Sequence, residues 1–249
     1  ASDVYKRQLL YTLIIFSLVS CQQEDAPLTV GKGYLSLASL EIGTGTVSSI
    51  STRAVSPDIA IEILKADGTP VIKYDAGAAE ASGKIELEAG NYILKAYSPN
   101  HNTSYDNNEK GEPKYYKEQT FTIEPEKVSY LNVKVPMINF GVSLVLPQDI
   151  LDTWFNSYTF TITLGDRTLT LQNSETAYFD LPADDALLAY SLEATNKDNE
   201  SFRQDHTYNQ VLNGGTVYVI SYFLTIHSAD KVRLSMDCLD NQILQLTAK

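Results

Sequence analysis

Residues 59–74 read IAIEILKADGTPVIKY. Ile59, Ile61 and Ile63 fall on alternate positions, so an extended chain turns all three to one face. Asp67-Gly68 then supplies residues that tolerate positive φ, and the apolar rhythm resumes in VIKY. The stretch predicts a β-hairpin with one buried face and a two-residue turn. Residues 158–171, YTFTITLGDRTLTL, carry the same signature. Tyr158, Phe160, Ile162 and Leu164 share a face, and Gly165-Asp166 supplies the turn.

Working outward, the two halves of the chain overlay. Residues 83–100, GKIELEAGNYILKAYSPN, parallel residues 176–196, with Ile85 and Leu87 together on one face. Residues 118–135 are laid over 209–224, and the leading strands 33–42 and 139–147 correspond. GYLSLASLEI alternates but slips phase between Leu37 and Leu40, which predicts a bulge near Ala38 and Ser39. No helical periodicity is found after residue 33. Each half then has about seven short strands, the spacing of a sandwich. The fold class expected is all-β, with two tandem antiparallel β-sandwich domains. Their junction falls at Pro136-Met137-Ile138, without a Gly/Ser linker. The tail 231–249 has no counterpart in the first half. It is expected to fold back as an edge strand, with a donor strand for a neighbour as the other reading.

The chain has 249 residues, 43% hydrophobic and 20% charged, which is ordinary globular composition. Its net charge of −12 argues against a nucleic-acid partner, since phosphate contacts need clustered Lys and Arg. Sixteen tyrosines suit strands. The two cysteines, Cys21 and Cys238, exclude a disulfide framework if Cys21 is modified.

The beginning of the sequence speaks to address. Lys6 and Arg7 precede an apolar run over residues 9–19, shorter than the roughly 20 residues a spanning helix needs. Leu18-Val19-Ser20-Cys21 resembles the bacterial lipobox. That resemblance implies cleavage before Cys21, a lipid on its sulfur and an acylated amino group, hence stable anchoring. The expected division is residues 1–20 signal peptide, 21–31 lipidated cysteine and polar tether, 32–137 first sandwich, and 138–249 second sandwich with tail strands. The polar Gln22 to Asp25 resemble the acidic export tether of some Bacteroidetes lipoproteins, or serve as a plain solvated linker. The expected location is the outer membrane, at the cell surface rather than the periplasmic face.

The lipobox, GYLSLASLEIG, STRAVSP, KADGTP and LEAGNYILKAYSP together resemble a group of Bacteroidetes lipoproteins catalogued as a domain of unknown function. The resemblance covers residues 21 to about 224. That group is similar in architecture to the fimbrillins, whose two domains are transthyretin-like sandwiches, and Gly90 to Ala96 match a strand motif of that fold. Fimbrillin precursors are cut after an arginine following the first strand, and a strand of the next subunit fills the groove. The resemblance implies Arg53-Ala54, in ISTRAVSP, as the equivalent bond, with other envelope or pilus subunits as strand-pairing partners. A solvated loop arginine is the plain alternative.

Chemistry-bearing patterns are sparse. His101 and His206 are expected in corresponding loops, and His101, His206 and His227 all lack zinc-site spacing. Ser201 with Gln204-Asp205-His206 contains the letters of a triad, but a triad is defined by geometry. Residues 106–112, DNNEKGE, resemble a calcium loop only faintly, because Lys110 stands at a ligand position. No catalytic residue, metal ligand or cofactor is implied, and the chain reads as no enzyme. The binding candidates are Tyr97, Tyr105, Tyr115 and Tyr116, which flank a long polar insertion. They suit stacking on a glycan, or packing over the open end of the sandwich. Two functions remain in view: a structural subunit of fimbrillin-like or adhesion type, and a surface glycan-binding lipoprotein of polysaccharide uptake.

Overall fold

A computed structural model describes residues 31–43, 48–49, 59–107, 109–146, 148–183, 186–228, 231–237 and 243–245. Cys21, Arg53, Ala54 and Cys238 lie outside these residues.

The first half begins with β1 (Lys32–Gly43) and the two-residue β2 (Ser48–Ser49). The opening hairpin follows as β3 (Ala60–Lys65) and β4 (Pro70–Tyr74). Then come β5 (Lys84–Glu88), β6 (Gly90–Tyr97), β7 (Tyr116–Ile123) and β8 (Val128–Pro136). One sheet has β1 at its centre, paired with β5, β2 and β8, and the other runs β4-β3-β6-β7. Alternation decides which face each strand buries. Ile59, Ile61, Ile63 and Leu94 are fully buried against Leu35 and Val135 of the facing sheet. Each such side chain contributes roughly 1.5–3 kcal/mol on leaving water.

The second half repeats the plan. It comprises β9 (Phe140–Val145), a helix α1 (Gln148–Trp154), β10 (Phe155–Leu164), β11 (Arg167–Leu171), β12 (Thr176–Phe179), β13 (Leu188–Asn196), β14 (Ser201–Tyr208) and β15 (Val217–Ser228). The tail adds β16 (Lys231–Asp237) and β17 (Ile243–Gln245). Its sheets run β11-β10-β13-β14 and β12-β9-β15-β16-β17. Phe140, Val142, Phe160, Ile162 and Leu192 are fully buried in a separate core. Strand for strand, β1, β3–β8 match β9–β15, pairing for pairing.

The all-β sandwich expectation holds, with refinements. Pairing is antiparallel except for β1 with β8 and β9 with β15, which are parallel. The phase slip in β1 is a register shift between Leu37 and Ser39 against β8. The second hairpin turns on Gly165-Asp166, Gly165 at φ +57°. The first needs four residues rather than two, because Lys65 N bonds Thr69 O at 2.8 Å and the register shifts beside Leu64. Its Gly68 takes φ +86° and Asp67 Oδ1 accepts from Thr69 N at 2.9 Å.

Two expectations are corrected. The counterpart of β7 is β14, not residues 209–214, so His206 lies on a strand rather than in a loop. SFRQDHTY hides this because β14 is an edge strand that buries only Gln204. A short helix does exist: α1 puts Leu151 on the second core, but its seven residues are too few to show a period. The tail pairs in place, β16 antiparallel to β15, which is the edge-strand reading. No helix among the described residues is long and apolar enough to cross a membrane.

Candidate functional site

The insertion between β6 and β7, residues 98–115, carries the tyrosine candidates. Its base is closed by Ser98, whose backbone N donates to Tyr115 O and whose Oγ accepts from Tyr115 N, both at 3.0 Å. Beyond the base it reaches the second sandwich. Lys110 O accepts from Tyr178 N at 2.7 Å, and Asn107 Oδ1 accepts from Thr168 N at 2.9 Å. Tyr178 sits on β12, which pairs in its own sheet only with β9. The loop therefore covers a sheet edge that would otherwise stand open.

Two charged groups lock the contact. Arg167, on β11, donates from Nε to Asp106 O at 3.1 Å and from its other nitrogens to Glu109 O and Tyr178 O. Its guanidinium stands 4.7 Å over the Phe179 ring and 5.9 Å over Tyr105. Burial pulls its pKa down, and nearby Asp180, Glu109 and Asp106 oppose that. An arginine stays cationic regardless. Lys114 is the second group, with a side chain only 4% exposed. Its Nζ bonds both oxygens of Asp180, at 2.6 and 2.8 Å, and lies 5.3 Å over the Tyr105 ring. Around the rim Lys110 pairs with Glu175, whose carboxyl falls below its usual range because Lys110 and Gln172 N both donate to it.

Asn139 completes the junction. It is 1% exposed, and its side chain works like a short strand. Oδ1 accepts from Lys114 N and Nδ2 donates to Glu112 O, each at 2.9 Å. Next to it Ile138 N donates to Lys114 O at 2.8 Å, and Tyr115 bridges Met137. Gly111 permits the close approach. It takes φ +74°, and a Cβ there would stand 3.0 Å from Tyr178 O and from the Tyr105 ring. A cleft of about 330 Å³ remains beside the brace, lined by Tyr105, Arg167, Phe179, Asp180, Leu181 and Ala186 among others.

The four tyrosine candidates do not converge. Tyr97 and Tyr116 contact His101 from either strand, tilted at 4.5 Å and stacked at 5.5 Å between ring centres. Tyr105 lies under Lys114 and Arg167, and Tyr115 packs on the first core. His101 is thus half-buried between two rings, and its Nδ1 lies 3.0 Å from Ser98 O. His206 contacts the Tyr190 ring at 5.0 Å, and burial lowers its pKa. Asp205 and His206 are neighbours on β14 and face opposite sides, which rules out a triad with Ser201. Among the described residues no group of three His, Cys, Asp or Glu is placed to hold a metal ion.

Lys114, Asn139, Arg167 and Asp180 were not visible as site residues in the sequence. The partners of Lys114 lie 25 and 66 positions away, so no local spacing marks them.

Fold and junction together define a class: a protein of two like β-sandwiches, braced by a loop of the first. The chain matches the profile of the family described as domain of unknown function (DUF4493) over residues 31–237, and it belongs to that family. No curated protein matches it. Among solved structures it is similar to a candidate adhesin from Bacteroides ovatus, at 10% identity and TM-score 0.45, covering 91% of this chain and 98% of the other. A candidate polysaccharide-binding protein from Bacteroides thetaiotaomicron gives 10% identity and TM-score 0.43, with 87% and 98% covered. The fimbrial anchor protein Mfa2 from Porphyromonas gingivalis gives 9% identity and TM-score 0.36, with 88% and 99% covered.

Proposed function

We propose that the chain is a non-enzymatic, lipid-anchored structural subunit of the bacterial cell envelope, of fimbrillin-like or adhesion-associated type. The observation that carries this reading is the place of β1. It runs down the middle of its sheet, antiparallel to β5 on one side and parallel to β8 on the other. Leu35, Leu37 and Leu40 drive its inner face into the first core. Removing β1 would leave β5 and β8 facing one another across an empty lane floored by Ile61, Ile63 and Leu94. A strand of another subunit with the same alternation would restore both the backbone bonds and the buried leucines. Cleavage at Arg53-Ala54 would release it, and lipid on Cys21 would hold the uncut form at the membrane.

The braced junction suits a subunit that transmits load, since the loop bonds one sandwich to the other. The glycan reading has no comparable support, because its tyrosines are dispersed and Tyr105 is already engaged by two cations.

The test is treatment of the purified chain with an Arg-specific protease. A clip at Arg53 followed by detergent-resistant multimers is expected; clipped protein that stays monomeric overturns the assembly reading. Separately, Cys21→Ser should abolish labelling by a palmitate analogue in cells, and retained labelling would remove the anchor.

A further inference from the structure

We infer that the outer edge of β8 is a docking strand for a second copy of this chain, paired antiparallel about Asn132. This goes beyond the groove under β1 and needs no cleavage. Four observations meet at this edge.

First, among the described residues β8 pairs with β1 alone. Its start is crossed by β7, where Ser129 Oγ donates to Thr122 O at 2.9 Å, so the free length begins at Tyr130. Second, the other half of the molecule fills the same lane. Ser129 faces Leu35 as Tyr218 faces Val142, which places Asn132 where Ser221 stands. Ser221 is the residue at which antiparallel β16 joins β15. An antiparallel neighbour is thus the fold's own solution for this edge.

Third, Tyr130 is 70% exposed in the middle of a strand, and its side chain makes no hydrogen bond or ring contact among the described residues. Fourth, the strand complements itself. Lys127 O accepts from Tyr34 N, so alternation turns the backbone groups of Tyr130, Asn132 and Lys134 away from β1. In a two-fold pair centred on Asn132, Tyr130 stands opposite Lys134 of the second copy, and Asn132 opposite itself. The ladder has about six main-chain bonds. Each Lys134 ammonium can lie over a Tyr130 ring. Asn132 Oδ1 is held by Ser39 Oγ at 3.0 Å, leaving its amide nitrogen for the second copy. Leu131 meets Val133 on the inner face. Pro136, which has no donor, falls at the ladder's end. The contact is isologous, so it closes as a dimer and consumes both edges.

The experiment uses the full chain with Cys21→Ser and Cys238→Ser. Asn132→Cys should then form an intermolecular disulfide under mild oxidation, because Cα atoms of a hydrogen-bonded antiparallel pair lie about 5.5 Å apart, within disulfide reach. Lys73→Cys, exposed on β4, serves as control. Sedimentation of the unmodified chain should show mass rising with concentration. Tyr130→Pro, which deletes one outward donor on each strand, should weaken the dimer about tenfold or more, and Tyr130→Asp should do so without touching the backbone. Thermal unfolding of each variant checks that it is folded. Crosslinking no faster than Lys73→Cys, a chain that stays monomeric, or a dimer indifferent to both Tyr130 variants would overturn the inference.

Discussion

Deleting either partner of the Lys114–Asp180 pair removes the same bonds, yet the two deletions should differ sharply. At 2.6 and 2.8 Å the charge attraction is about 6 kcal/mol for an effective dielectric near 20. Most of that offsets the cost of burying the ammonium. What remains after mutation decides the loss. Asp180→Ala strands a cation whose side chain is 4% exposed, supported among the described residues by the Tyr105 ring. Lys114→Met leaves a carboxylate that is 57% exposed and free to hydrate, while the new side chain keeps the apolar stem. The expected costs are about 3–4 kcal/mol for Asp180→Ala and about 1 kcal/mol for Lys114→Met. The double variant should recover to near the Lys114→Met value. Urea unfolding followed by far-UV circular dichroism and by the fluorescence of Trp154, the only tryptophan, measures both. Trp154 lies in the second half, so it also shows whether the halves unfold apart once the brace is cut. Equal losses, or a larger loss for Lys114→Met, would refute the argument that Lys114 is the buried partner of the brace.

Gly111→Ala should cost about 1–3 kcal/mol, since the residue sits at φ +74° and the new Cβ meets Tyr178 O at 3.0 Å; a neutral result in the same assay would mean the loop can shift. Leu94→Ala and Leu192→Ala, each fully buried in a different core, should each cost about 2–5 kcal/mol, and only Leu192→Ala should move the Trp154 transition first. Burial lowers the pKa of His206, so the unfolded chain binds its proton first: this contribution to stability is present above the ordinary value of 6.5 and is lost as pH falls below it. His206→Gln should flatten that dependence in pH-resolved melts. Glu175, depressed by Lys110 and Gln172 N, works the same way lower down: its contribution is present above 4.5 and is lost as pH falls through the depressed value, and Glu175→Gln should remove that slope.

The sequence revealed what is local. The hairpins, the bulge after Leu37 and the inward faces of β3, β6 and β10 all follow from alternation within a few residues. What escaped is long-range or weakly patterned. The parallel pairing of β1 with β8 joins Tyr34 to Val128, and nothing near either residue announces the other. β14 escaped because an edge strand needs few apolar residues, and SFRQDHTY buries only Gln204. The site escaped for a related reason. Tyrosines with Asn and Asp on a long loop have the composition of a ligand surface, and the same side chains also suit a junction between two domains. The junction is marked by the acceptors of Arg167, and they are backbone groups of Tyr178, Asp106 and Glu109 that composition cannot display.

The internal repeat makes the differences between halves informative. The two sandwiches share seven strands in one pairing scheme, so whatever one half has and the other lacks was added to a common plan. The first half adds the loop 98–115, and that loop is spent on the second half: it covers the β12 edge and anchors Lys114. The second half adds β16 and β17, which cover the β15 edge. Three of the edges this plan creates, at β12, β15 and β8, can be compared, and two of them are capped by the chain itself. Among the described residues β8 has no such cap, and it is the edge that displays Tyr130. Edges left bare invite association, and chains usually blunt them. The β15 edge, the counterpart of β8 in the other half, is capped by β16, and the β8 edge, bare among the described residues and self-complementary in sequence, is the one left to be met by another strand. The braced junction gives that contact mechanical meaning, because a pull on one sandwich reaches the other through Lys114, Arg167 and Asn139 rather than through a flexible link.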